Sequence, residues 1–159
     1  MADRARTARA LWAFAGVVLI FGNAVLRLGA RGVAVMLAGL APAEWAALLL
    51  LTALFVYGEG VRALERRYVP HLLGRIALLR DERRPIYQVL APLYALSLVG
   101  ATRRSLAYAW AGISGIILAV MVVSRFPEPW RGITDFAVAA ALAWGLVAIV
   151  RGAVRTRLR

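Results

Sequence analysis

Glu59 and Asp135 are the two acids whose surroundings suggest chemistry. Glu59 sits in Val56-Tyr-Gly-Glu-Gly-Val-Arg62, near the end of a strongly apolar run. Keeping a carboxylate ionised in hydrocarbon costs about 2.5 kcal/mol or more, so an acid there is a candidate for carrying a proton or an ion. Gly58 and Gly60 would let another helix come close. The plainer reading is an interfacial acid paired with Arg62 or another cytoplasmic arginine. Asp135 opens the last apolar run, four residues after Arg131. An acid in a first helical turn suits the positive end of the dipole, and an ion pair with Arg131 would complete the account.

The sole histidine, His71, follows Pro70 in the most basic stretch, with no Ser, Cys or second ligand at a suggestive spacing. It could act as a general base only if the fold brought Asp81, Glu82 or Glu59 to it. A head-group-facing imidazole is the simpler expectation. Arg62, Arg66, Arg67, Arg75, Arg80, Arg83, Arg84, Arg103 and Arg104 form the densest basic set. They are candidate contacts for anionic lipid head groups or an acidic partner, against the simpler role of membrane-edge anchors.

Other chemistries lack residues. With no Cys and one His, disulfides and thiolate sites are excluded, and soft ligands are too few for zinc, copper, haem or iron–sulfur centres. No metal and no cofactor is expected. Phosphate loops, nucleophile elbows, zincin motifs and dinucleotide fingerprints are also missing. The tyrosines and tryptophans suit interface and packing positions.

The elements that must position these residues are long runs without charge, fenced by arginine. Ser105 to Ser124 is the clearest, bounded by Arg103 and Arg104 before it and Arg125 after it. At about 1.5 Å per residue it covers roughly 30 Å, the hydrocarbon thickness of a bilayer. It has no polar stripe of the kind a soluble helix needs. The 159 residues are 62% hydrophobic and their mean hydropathy is +0.73, which leaves room for one membrane bundle and no separate soluble domain. All 20 basic residues are arginine, and the net charge is +12. They sit at the ends of apolar runs rather than in one patch, which argues against nucleic acid as a partner.

The pattern predicts an all-α polytopic bundle in a single transmembrane domain. Spans are expected at about 10–28, 45–61, 105–124 and 132–150. The first follows a basic N-terminus and reads as an uncleaved span rather than a signal sequence. Residues 29–43 read as a Gly-rich loop or short interfacial helix. Pro70 is expected to start a separate amphipathic helix over 70–84, lying on the head groups. The segment 85–102, with Pro85 and Pro92, reads as kinked or re-entrant, or as a fifth span. If it does not cross, only Arg27, Arg31, Arg125 and Arg131 lie outside, which favours four spans with both termini cytoplasmic. The last two spans carry small-residue ladders, Ala111, Gly115 and Ala119 on one and Ala137, Ala141 and Gly145 on the other. These ladders sit at equal distances from the turn and suit close pairing across a hairpin.

The strings Tyr57-Gly-Glu-Gly60, Arg66-Arg-Tyr-Val-Pro70, Ala91-Pro-Leu-Tyr94, Ala101-Thr-Arg-Arg104 and Pro129-Trp-Arg-Gly-Ile133-x-Asp135 resemble those of small bacterial multi-pass inner-membrane proteins. The resemblance implies the class and attaches no activity. The leading expectation is a non-catalytic accessory or assembly subunit of a larger bacterial inner-membrane complex, contacting lipid, other membrane subunits or further copies of itself. Alternatives are a small transporter or channel with Glu59 as coupling site, and a lipid-head-group-modifying enzyme.

Overall fold

The structure is a computed structural model that describes residues 2–79, 82 and 84–157, with side chains for 7–79, 82 and 84–155. Among the described residues every regular element is helical and there is no strand. Four helices are long and apolar enough to cross a membrane: Thr7–Ala38, Pro42–Leu79, Arg103–Val123 and Trp130–Arg155. The chain is an all-α helical bundle with four candidate spans.

The first helix, α1 (Ala2–Ala38), runs well past the expected break at residue 28. Gly29, Ala30 and Gly32 do not interrupt it. A glycine inside a helix costs about 1 kcal/mol relative to alanine, and here packing outweighs that cost. Gly32 lies so close to Phe136 that a Cβ would collide with the ring, and Gly29 faces Ala139. The helix stops at Gly39, whose φ of +95° suits glycine. Ala41 is extended and Pro42 opens the next helix in its first turn. The Glu44 carboxylate accepts a hydrogen bond from the Ala41 N–H at 2.8 Å, closing the helix start.

From Pro42 the chain stays helical to Leu79. It begins as α2 (Pro42–Phe55), widens into a π segment over Val56–Tyr68, and returns to α geometry as α3 (Val69–Leu79). The amphipathic helix expected to start at Pro70 is therefore the continuation of the second span. In an α-helix a proline ring clashes with the carbonyl four residues back and removes one hydrogen bond. The π segment leads into Pro70 with a wider turn, in which the Val69 N–H bonds the carbonyl of Leu64, five residues back.

Two five-residue helices follow, α4 (Pro85–Val89) and α5 (Ala91–Ala95). At about 1.5 Å per residue neither approaches bilayer thickness. The structure thus has four long helices and a bent segment over 85–102, not a fifth span. α6 (Arg103–Val123) and α7 (Trp130–Arg157) complete the chain.

The chain divides into two compact units, one of residues 1–20 and 70–117, the other of 21–69 and 118–159. In the second unit α7 is the centre, buried along Ile133, Ala137, Ala141, Ala148 and Ile149. It packs against α2 and the π segment. The pairs Gly60/Ala141 and Leu64/Gly145 advance together, so these helices run parallel. The pairs Gly29/Ala139, Gly32/Phe136 and Val35/Gly132 run in opposite order, so α1 is antiparallel to α7. Phe21 and Tyr68 stack at 6.5 Å between ring centroids and join α1 to the end of the π segment.

Of the two small-residue ladders, Ala137, Ala141 and Gly145 are buried, with Ala141 and Gly145 against Gly60 and Leu64 of the long second helix. Ala111, Gly115 and Ala119 are exposed, no residue of α6 is buried, and a Cβ on Gly112 or Gly115 would meet open space. The glycines of the π segment and α1 let these helices approach α7 closely.

Candidate functional site

Three charged side chains point out of the second unit at a level where α7 carries no charge. On α7, Phe136 to Val150 carries no charge, a stretch of roughly 22 Å at about 1.5 Å per residue. Gly60 abuts the Ala141 carbonyl and Trp144, so Glu59 lies level with the middle of this stretch. Gly29 faces Ala139, and because α1 is antiparallel, Arg27 falls level with about Ala141 as well. Arg27, Glu59 and Arg62 are all exposed. None of the three has an ion pair among the described residues. The ion pair expected between Glu59 and Arg62 is therefore not formed among the described residues. The helix carries on for some twenty residues beyond Glu59, and the π winding leaves the two side chains unpaired.

The other acids of this unit have partners. Asp135 is buried, and its carboxylate lies 3.5 Å from Arg31 of α1. Its expected partner Arg131 is displaced, because α1 approaches α7 at Gly32 and brings Arg31 to the same turn. Asp135 Oδ2 has no hydrogen-bond partner, and neither does the buried Thr52 Oγ1. The start of α7 is capped instead by Glu128, whose carboxylate accepts from the Gly132 N–H at 3.4 Å. Glu65 accepts a 2.7 Å hydrogen bond from the Trp144 indole and lies 4.0 Å from Arg151, tying the π segment to α7.

In the first unit the bent segment is held by donors from the long helices. Arg9 donates to the Glu82 carbonyl at 3.1 Å, and Trp12 to the Val89 carbonyl at 3.2 Å. Pro92 packs on Gly16 too closely for any Cβ there. Arg75 of α3 does most: its guanidinium donates to the carbonyls of Tyr94, Val99 and Gly100 at 2.9–3.1 Å. It also stands 3.7 Å over the Tyr94 ring. The Val99 and Gly100 carbonyls belong to irregular backbone that would otherwise have to find water, and the Tyr94 carbonyl is the end of α5, shared with the Ser97 N–H.

His71 lies 2.9 Å from Ser97 Oγ through Nε2. His71 is exposed, as a solvated or head-group-facing imidazole would be, and a Ser 26 residues away, which spacing along the sequence did not suggest, reaches it because the chain doubles back. Ser–His contacts can be nucleophilic pairs, yet here the backbone supplies a different account. Ser97 N–H bonds the Tyr94 carbonyl and Leu98 N–H bonds the Leu93 carbonyl, at 3.0 and 2.9 Å. That is the Schellman end of α5, whose left-handed position usually holds glycine. Ser97 takes it at φ 61° and is 4% exposed. The hydroxyl ties the helix end to α3.

Of the basic set, Arg62, Arg66, Arg67, Arg84, Arg103 and Arg104 are exposed. Arg84 and Arg104 stand 5.8 Å over Tyr87 and Tyr108. Arg75 is committed to the loop, and Arg80 and Arg83 lie outside the described residues, as does Asp81. No three His, Cys, Asp or Glu side chains are grouped to hold a metal among the described residues. Set against protein families, curated proteins and solved structures, the chain matches none. The likeness to small bacterial membrane proteins stays with the strings quoted above.

Proposed function

We propose that the chain is a non-catalytic accessory or assembly subunit that packs against a larger complex in a bacterial inner membrane, with both termini cytoplasmic. One observation carries this reading: Arg27, Glu59 and Arg62 face outward, level with the apolar middle of α7. Each charge at the centre of a lipid-exposed helix costs about 2.5–3.5 kcal/mol on insertion scales. A protein partner that meets these charges removes that penalty. The uncovered α6, with its small-residue face, adds surface for such contacts. The antiparallel course of α1 and α7 supports a common side for the termini, and the arginine distribution supports the cytoplasm.

The test is purification of the tagged full-length chain from membranes in mild detergent. A stoichiometric second membrane protein is expected, and its yield should fall when Glu59→Gln or Arg27→Gln is introduced. Recovery of the wild-type chain alone would overturn the reading. The same lone acid favours a second reading, a small transporter in which Glu59 binds the coupling proton or cation. In that case Glu59→Gln abolishes flux in liposomes, whereas Arg27→Gln alone does not.

A further inference from the structure

We infer that a second copy of this chain covers the Arg27–Glu59 face, in a two-fold dimer whose axis lies along the membrane normal. The inference rests on the reading that the outward charges mark a protein contact, and it names the partner.

Arg27 and Glu59 have opposite signs and lie on neighbouring helices, joined by the Phe21–Tyr68 stack. Both are level with about Ala141 of α7, both are exposed, and neither has an ion pair in its own chain among the described residues. A two-fold axis along the membrane normal keeps every residue at its own depth. Arg27 of one copy therefore meets Glu59 of the other, and the reverse pair forms by the same operation. A different partner would have to supply an acid and a base at the same depth independently; a second copy supplies both. Around the acid the surface permits close approach. A Cβ on Gly58 would meet open space, and Leu54 and Tyr57 are 58% and 60% exposed apolar neighbours. Arg62, also exposed and close to Glu59 along the helix, lies at the border of the same face.

Trans-complementation between two differently tagged full-length chains in lipid nanodiscs tests this. Wild-type copies should pull each other down. Glu59→Arg alone puts Arg opposite Arg27, and Arg27→Glu alone puts Glu opposite Glu59. Each should lower recovery of its own second tag by about tenfold or more. Mixing the two variants restores an acid against a base at both contacts, and recovery should return to near the wild-type level. If the pair formed within one chain, mixing would restore nothing.

Absence of wild-type pull-down, full pull-down of either reversal alone, or failure of the mixture each overturns the inference. Monodisperse elution and an unchanged melting temperature guard against misfolding, and the milder Arg27→Gln and Glu59→Gln should show the same loss in weaker form. If another membrane protein co-purifies while the two tags do not, the accessory-subunit reading stands and the dimer fails. If the tags co-purify and no other protein does, the reverse holds.

Discussion

Ser97 shows how one side chain can carry two opposed demands. Its left-handed φ favours glycine, while its hydroxyl reaches His71 at 2.9 Å. Ser97→Ala keeps the backbone strain and loses the hydrogen bond, so it should destabilise by about 1–2 kcal/mol. Ser97→Gly loses the same bond but relieves roughly 1 kcal/mol of strain, and should fall between alanine and wild type. Thermal unfolding in detergent ranks the three, and alanine melting above glycine would remove the capping account. Arg75 has the larger role, since truncation removes at once the donors that hold the Tyr94, Val99 and Gly100 carbonyls to α3. Arg75→Gln should open the loop, read as faster maleimide labelling of a Leu98→Cys reporter in a chain that has no other cysteine. The sequence placed Arg75 among surface anchors because spacing reveals charge and says nothing of which backbone a distant loop will bring.

Helix by helix, apolar runs were the readable part. The four long helices follow from stretches too apolar for water, and the bent piece over 85–102 follows from Pro85 and Pro92. What the pattern misjudged were helix ends. Glycine and proline read as breakers at 29–43 and at 70, yet Gly29 and Gly32 are contact points for α7, and Pro70 follows a widened turn. Local propensity is worth about 1 kcal/mol per glycine, less than packing can return, so tertiary contact decides. Likewise the small residues of α7 were visible, but that Gly60 and Leu64 would meet Ala141 and Gly145 was not. Gly16→Val should cost several kcal/mol, because Pro92 occupies the space a side chain needs. Gly115→Val, in open space, should leave the melting temperature of the isolated chain nearly unchanged. A large fall for Gly115→Val would show that α6 is covered even in the isolated chain.

For the molecule as a whole, the depth of charge is the property with the widest reach. The sequence locates Glu59 near the end of an apolar run, and the register of α7 against the second helix brings it level with the middle of α7's uncharged stretch. The π segment matters here in a further way. Helical winding sets the compass direction of each side chain, and the looser coil over Val56–Tyr68 sets the bearing of Glu59 about its own helix. Pro70, itself far from the acid, discourages the tighter coil. Replacing it with alanine would allow the segment to rewind, swinging Glu59 around the axis and away from whatever meets it. A single ring at one end of a span thus governs the bearing of a carboxylate three turns away.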